Sequence, residues 1–547
     1  MRFPATRSPR LLFLIGMALY ALTAWRSEGY HHPDEHFQIL EFANYRLGRT
    51  PVDGLPWEFE AQIRPGLQPM LAFGAIRLCE AAGISSPFDQ AFLLRLLSGW
   101  LCLWLFFLWA KYIASEHPNS GIWLRLAAVL SWFVPYLSVR FSSENWAGLS
   151  FGFGLLLLLT AEKGRNSVLQ LVATGFLLAL SFFFRFQMGF ALAGLGAWWL
   201  WRLIPPRGGE PRPTNLSSDE CVANRDKDYT ERLRIHPTTN SSDEPSRKPD
   251  TRTMTPLWTS LAALLFGGAL ATVLGISADA WLYGEPVFTA FNYFYANIVQ
   301  DAAAGWGTSP WWYYPVETLL TAVPPVSLVL LTLLGVGLWH ERTSALVWCL
   351  VPFLLAHMAV GHKELRFLYP MLVPVLVLAV QGLGVWFTLG SIPAWVMRSV
   401  RIIWPVALGL NFLLLPLRNL LAAQDSAPYY RFLYDYAATQ PGTVLVFSRE
   451  KCLYESVGLP IYFYCSPQVE NRVVGKFQSG TLLSEPAPTR LILSPKLTLP
   501  DTLPGLRTER IYTYFPDWIL QFNLNDWQSR SKIWSVYRYE RDSRERR

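Results

Sequence analysis

Chemistry is densest at Tyr30 to Ala43, YHHPDEHFQILEFA, where two adjacent carboxylates, Asp34 and Glu35, stand among His31, His32 and His36. The stretch lies a few residues beyond the first apolar segment, so these groups sit beside hydrocarbon. Ionisable groups are costly there, and their presence asks for a chemical role. Pro33 suits a first helical turn, and Phe37, Leu40 and Leu47 then share one face. That predicts an interfacial amphipathic helix with the acids at its N-terminus. A solvated helix start is the plainer alternative, because the helix dipole favours carboxylates in a first turn.

The elements that must position these residues are membrane spans. The chain has 547 residues, 52% hydrophobic and only 16% charged, which marks a polytopic membrane protein. Its net charge of +7 comes with arginines that flank apolar runs, where they orient helices and meet headgroups, so no nucleic-acid partner is expected. Six cysteines form no CxxC pair; Cys79, Cys102 and Cys349 read as core, while Cys452 and Cys465 are a possible disulfide. Arg2, Arg7 and Arg10 precede the apolar run Leu11 to Trp25, read as an uncleaved anchor with a cytoplasmic N-terminus.

Further apolar segments run from Phe92, Ile122, Trp146, Val168, Gly189, Leu257, Val316, Ala345, Phe367 and Ile402, about eleven spans in all. Gly66 to Gly83 is read as interfacial or re-entrant, leaving 26–90 as one external loop. Four parts are expected: a membrane module over 1–204, a disordered cytoplasmic insertion over 205–256, a second membrane module over 257–425 and a small external α/β or β-rich domain over 426–547. Asp226 and Asp228 in the insertion have DxD spacing but read as an ordinary charged stretch. Short strands are expected at Thr443 to Phe447, Pro460 to Tyr464, Arg490 to Leu493 and Ile533 to Tyr539.

The same span parity gathers unusual residues on the external face: Arg64, Arg140 with Glu144, Arg185 with Gln187, the aromatic loop Asn292 to Tyr314, and His362-Lys363-Glu364-Leu-Arg366. Singly, each has a plain reading as a snorkelling cation or an interfacial aromatic belt. Their convergence on one face points to a site.

His32 to Gln38, HPDEHFQ, resembles the signature of glycosyltransferase family 22, mannosyltransferases of GPI anchors and lipid-linked N-glycans. Four more motifs follow in order: Arg64-Pro-Gly-Leu-Gln-Pro69, with Gly66 at the family's serine; Asp279-Ala-Trp-Leu-Tyr-Gly284, followed by Asn292 and Asn297; Gly307-Thr-Ser-Pro-Trp-Trp-Tyr-Tyr314, with Trp312 at the usual histidine; and His362-Lys-Glu-Leu-Arg-Phe-Leu368. The resemblance implies an all-α polytopic GT-C fold and an inverting transferase moving mannose from a polyprenyl-phosphate-mannose donor to a lipid-linked glycan or glycolipid, in a bacterial inner membrane or the ER, with its site periplasmic or lumenal. It implies substrate contacts by His32, His36, Gln38, Asn292, Trp311, Trp312 and Tyr313.

Transfer from a lipid phosphosugar needs no nucleotide pocket, and no metal or cofactor is expected. It does need a base for the acceptor hydroxyl and cations for the departing phosphate. Asp34 is the expected base, with Glu35 second; His362, Lys363 and Arg366 are the expected phosphate clamp, with Arg64, Arg140 and Arg185 in reserve. Neighbours on a helix point about 100° apart, which disfavours the facing acid pair of a glycosidase. A GT-C enzyme using another polyprenyl-phosphate sugar and a membrane transporter are the competing classes.

Overall fold

The computed structural model describes residues 9–115, 118–162, 167–204, 257–388, 394–440, 442–448, 453–474, 482, 489–494, 497, 506–531 and 533–541. The chain is mostly helical as far as Asn419, with a small strand region beyond. Pro87 opens the helix Pro87–Ala114, where a missing N–H costs nothing. Ser167 and Ser344 cap the helices Val168–Phe184 and Ala345–Ala359 by accepting from Gln170 N and Val347 N.

Among the described residues four helices are long and apolar enough to cross a membrane: Pro87–Ala114, Trp258–Tyr283, Leu365–Phe387 and Met397–Asn419. Val326–His340 and Ala345–Ala359 pass together, bent by 120° at their junction. Two expected spans are broken. The one from Ile122 ends at Leu130 and restarts at Val134–Ser138, which carries Pro135; the one from Val316 is split into Tyr313–Thr321 and Val326–His340 by Pro324 and Pro325. Residues expected to lie at the interface form the helix Leu67–Ala81, which buries Leu67, Gln68, Pro69, Ala72 and Ile76. The helical core is filled by Trp109, Trp198, Phe106 and Phe151, with Cys102 and Cys349 buried among them.

The C-terminal region opens with the helix Ala427–Thr439 and, among the described residues, forms a five-stranded sheet: β1 Thr443–Ser448, β2 Val469–Val474, β3 Thr489–Ser494, β4 Leu506–Thr513 and β5 Ser535–Arg541. Their order is β2-β1-β3-β5-β4, with β1 parallel to β2 and β3, and β5 antiparallel to β3 and β4. The strand expected at Pro460 to Tyr464 is only Leu459–Pro460, paired with Glu455–Ser456 in a hairpin. Beyond it the backbone N–H groups of Tyr462 and Phe463 donate to the Glu41 carboxylate, at 2.8 and 2.9 Å, instead of to a neighbouring strand. Cys452 and the Asp226–Asp228 stretch lie outside the described residues, and so does the pairing of Cys452 with Cys465.

Candidate active site

The carboxylate stretch is helical with one irregularity. His32 caps it, its Nδ1 accepting from Asp34 N at 3.3 Å, and Pro33–Glu35 makes an α turn. A widened π turn, His36–Leu40, follows before Glu41–Arg46 resumes the α helix. Such an inserted residue re-aims side chains and is frequent at functional sites. Here it buries His36, Phe37, Gln38, Ile39 and Leu40 together. His36 is fully enclosed, with Nε2 2.8 Å from Glu41 Oε1 and its ring stacked on Tyr464. The same Glu41 accepts from Thr50 Oγ1 at 2.5 Å. Burial would raise the Glu41 carboxyl, but its bonds from His36, Phe463 and Thr50 hold it below the usual range.

Asp34 and Glu35 diverge, as expected of neighbours on a helix. Asp34 Oδ2 lies 2.8 Å from Arg366 Nη2 and 3.8 Å from Arg64 Nη2, and Oδ1 lies 3.4 Å from His32 Nδ1. Burial pushes its carboxyl up, and Arg366, His32 and Arg64 together outweigh that and hold it well below the ordinary range. Glu35 turns to another group: Oε2 accepts from His31 N at 3.2 Å and stands 3.9 Å from Arg140 Nη1. Burial dominates there and raises the carboxyl, Arg140 offsetting only part. His31, wedged between Tyr136, Tyr369 and Arg418, is pushed down to about 3 by burial and by the neighbouring cations Arg418 and Arg140.

Arg366 is the hub of the cluster. It pairs with Asp34, with Glu144 Oε1 at 3.2 Å and with Glu364. Glu144 also holds Arg185 at 3.0 Å. The helix Ser143–Glu162 reaches Leu365–Met371 this closely because residue 148 is glycine; a Cβ there would lie 2.7 Å from Pro370 O. Glu364 is held by Arg366, by His362 Nε2 at 3.0 Å and by His32 Nε2 at 3.3 Å, and against burial these contacts, Arg366 foremost, bring its carboxyl down to about 2.

The remaining motifs act as supports. Asp279 Oδ1 accepts from Gly66 N at 2.7 Å, and Tyr283 Oη donates to Arg64 O at 2.8 Å, so Asp279-Ala-Trp-Leu-Tyr-Gly284 fixes the backbone that carries Arg64. Glycine at position 66 matches this contact: a Cβ would lie 2.3 Å from Ala278 O. His362 Nδ1 meets Gly307 O at 3.0 Å and Lys363 Nζ donates to Ser309 O at 2.8 Å and to Val360 O, which ties the Gly307-Thr-Ser-Pro loop to the last motif.

A cavity of about 760 Å³ opens on this cluster. Its polar wall includes His32, Asp34, Gln38, Glu58, Arg64, Arg185, Gln187, Asn297, His362, Glu364 and Arg366. Most of the remaining wall is apolar, including Phe182, Phe186, Phe190, Phe294, Ile298, Trp306 and Phe367. Glu35, His36, Arg140 and Lys363 lie off this wall, as do Asn292, whose amide donates to Gln62 O at 3.2 Å, and the half-exposed Trp312 with its neighbours Trp311 and Tyr313. Glu58 completes the ion pairs without having been noticed, and Glu144 and Glu364 do so although the sequence places them on the external face without a role. The signal that could have found Glu364 was its place between Lys363 and Arg366 in one motif. Among the described residues no group of three or more His, Cys, Asp or Glu side chains is placed to hold a metal ion.

Fold and site together define a multi-span membrane protein whose ion-paired carboxylate faces a deep, mainly apolar cavity. The sequence profile of the Alg9-like mannosyltransferase family matches residues 11–207 and 247–423, well over half of the chain, and the chain belongs to that family. It is 41% identical over 101 residues to GPI mannosyltransferase 3 of Yarrowia lipolytica, covering 18% of this chain and 19% of that one. To GPI mannosyltransferase 3 of Gibberella zeae it is 23% identical over 429 residues, covering 72% and 64%. The chain thus spans less than two thirds of the length of either relative. Among solved structures, ArnT from Cupriavidus metallidurans bound to undecaprenyl phosphate is similar over 98% of both chains, with 12% identity and a TM-score of 0.49.

Proposed function

We propose that the protein is an inverting GT-C mannosyltransferase that moves mannose from a polyprenyl-phosphate donor to a lipid-linked glycan or glycolipid on the external or lumenal side of the membrane. The observation that carries this reading is Asp34 on the wall of a mainly apolar cavity, ion-paired with Arg366 and near Arg64. The apolar wall suits a prenyl chain, the arginines suit its phosphate, and the carboxylate suits a hydroxyl that must lose a proton. The GPI mannosyltransferases among its relatives support a glycolipid acceptor of the GPI type. The proposed arrangement keeps 1–204 and 257–425 as membrane modules of about eleven spans. It places 205–256 in the cytoplasm, with 26–90 and 426–547 on the side of the site.

The acceptor oxygen attacks the anomeric carbon from the face opposite the phosphate. As that C–O bond forms, the bond from carbon to the phosphate oxygen breaks, the proton passes to Asp34 and polyprenyl phosphate departs. In the resting site Asp34 is a poor base, because Arg366 and Arg64 stabilise its charge. The donor phosphate competes for the same guanidinium groups, so donor binding itself makes Asp34 more basic. Lys363 and Arg140 lie off the cavity wall, and the proposed clamp is therefore Arg366 with Arg64 and Arg185.

Asp34→Asn tests this in purified protein given polyprenyl-phosphate mannose and a glycolipid extract, with products identified by mass spectrometry. A general base contributes about 10² to 10⁴ in rate, so transfer is expected to fall by that factor while thermal unfolding stays near wild type. Transfer at the wild-type rate by Asp34→Asn would overturn the mechanism.

A further inference from the structure

The cavity wall divides by element. Its apolar side comes from helices and their ends, such as Phe182, Phe190 and Phe367, whereas Pro56, Trp57, Glu58, Val457 and Leu459 come from the first loop and the C-terminal hairpin. The loop side has the chemistry of a carbohydrate site. Trp57 is 41% exposed and offers an indole face for the C–H face of a pyranose. Its neighbour Glu58 uses Oε1 for Gln38 Nε2 at 3.3 Å and Arg64 Nη2 at 3.4 Å, and Oε2 has no partner among the described residues. A carboxylate oxygen left open beside an exposed indole is suited to accept a sugar hydroxyl.

The hairpin tip is held over this place under strain. Val457, 64% exposed, has φ +50°, a left-handed conformation that β-branched residues rarely adopt, and such strain collects at ligand clamps. The segment that leaves the hairpin is fixed to the first loop. Tyr462 and Phe463 are bonded to Glu41, and Tyr462 packs so tightly on the first loop that a Cβ at Gly54 would lie 2.6 Å from its ring.

We propose that Trp57, Glu58 and the tip residue Val457 form the subsite for a pyranose ring of the acceptor, on the opposite side of Asp34 from the prenyl groove. This rests on the transferase reading above. The C-terminal region thereby contributes to acceptor choice as well as to architecture.

The test is site-specific alkylation of Val457→Cys in nanodiscs, quantified by mass spectrometry, with Trp518→Cys as an exposed control on the same region. Octyl α-mannoside is expected to slow modification at position 457 at least fivefold, to leave position 518 unchanged, and to lose that effect when Trp57→Ala or Glu58→Gln is added. Undecaprenyl phosphate is expected not to protect position 457. Absence of protection by the mannoside, or equal protection by undecaprenyl phosphate, overturns the proposal. Protection is expected to persist in Asp34→Asn, because it reports binding alone. A wild-type protein that shows protection but transfers no mannose defeats the catalytic reading and leaves the subsite standing.

Discussion

Arg366→Lys is the substitution that most sharply probes the ion-pair hub. Arginine at this position meets three carboxylates at once: Asp34 at 2.8 Å, Glu144 at 3.2 Å and Glu364. An ammonium keeps the charge but cannot span that fork, so the donor phosphate loses one charge-assisted bond, worth about 1.5–3 kcal/mol. That corresponds to a fall of roughly 10- to 150-fold in kcat/KM for the donor at saturating acceptor. Stability suffers less than the about 3–5 kcal/mol expected when a buried pair loses a partner outright, because Glu144 retains Arg185 and Glu364 retains His362. The assay is donor titration by product mass spectrometry, with intrinsic-fluorescence melting on the same preparations. Donor kcat/KM within about threefold of wild type, together with a lowered melting temperature, would show that Arg366 only holds the fold and would refute its role at the phosphate.

Other expectations follow from the same geometry. Glu35→Gln is expected to keep transfer within about tenfold of wild type, since its amide oxygen can still accept from His31 N and Glu35 lies off the cavity wall; a loss as deep as that of Asp34→Asn would exchange the two roles. Transfer is expected to survive EDTA, because the arginines supply the charge for the leaving phosphate; abolition by EDTA with rescue by Mg²⁺ or Mn²⁺ would show otherwise. His31 is held neutral down to about pH 3 when folded but protonates near its ordinary value of 6.5 when unfolded, so its contribution to stability is lost as pH falls below about 6.5. His31→Asn is therefore expected to lose about 1 to 2 kcal/mol less than wild type on acidification from pH 7 to 5, measured by melting; equal losses would refute the assignment.

The carboxylate helix was legible because ionisable groups beside a hydrocarbon span are costly and so stand out. What the linear pattern could not supply was which charges meet. Lys363 and Arg366 lie three residues apart in one motif and look interchangeable, yet one ties two loops together through carbonyls while the other pairs with Asp34. Glu41 and Glu58 escaped notice because a lone acid reads as solvated until its partners are known. In the sheet, β1, β3 and β5 were marked by apolar and aromatic residues. The strands at its two edges, VENRVV and LRTERIYT, carry too much charge to announce themselves. Helix breaks were harder to place than helices, since hydropathy averages across Pro135 and Pro324 without sensing the lost backbone bonds.

The buried carboxylate of Glu41 also sets an order of events in biosynthesis. It is made early, yet two of its hydrogen bonds come from the backbone of Tyr462 and Phe463, more than 400 residues later in the chain. Until the ribosome has produced those residues, the buried Glu41 charge has only His36 and Thr50 to hold it. A chain stopped short of Tyr462 thus carries a Glu41 carboxylate that lacks two of its donors, and the stretch beside it gains them only once the last region has docked.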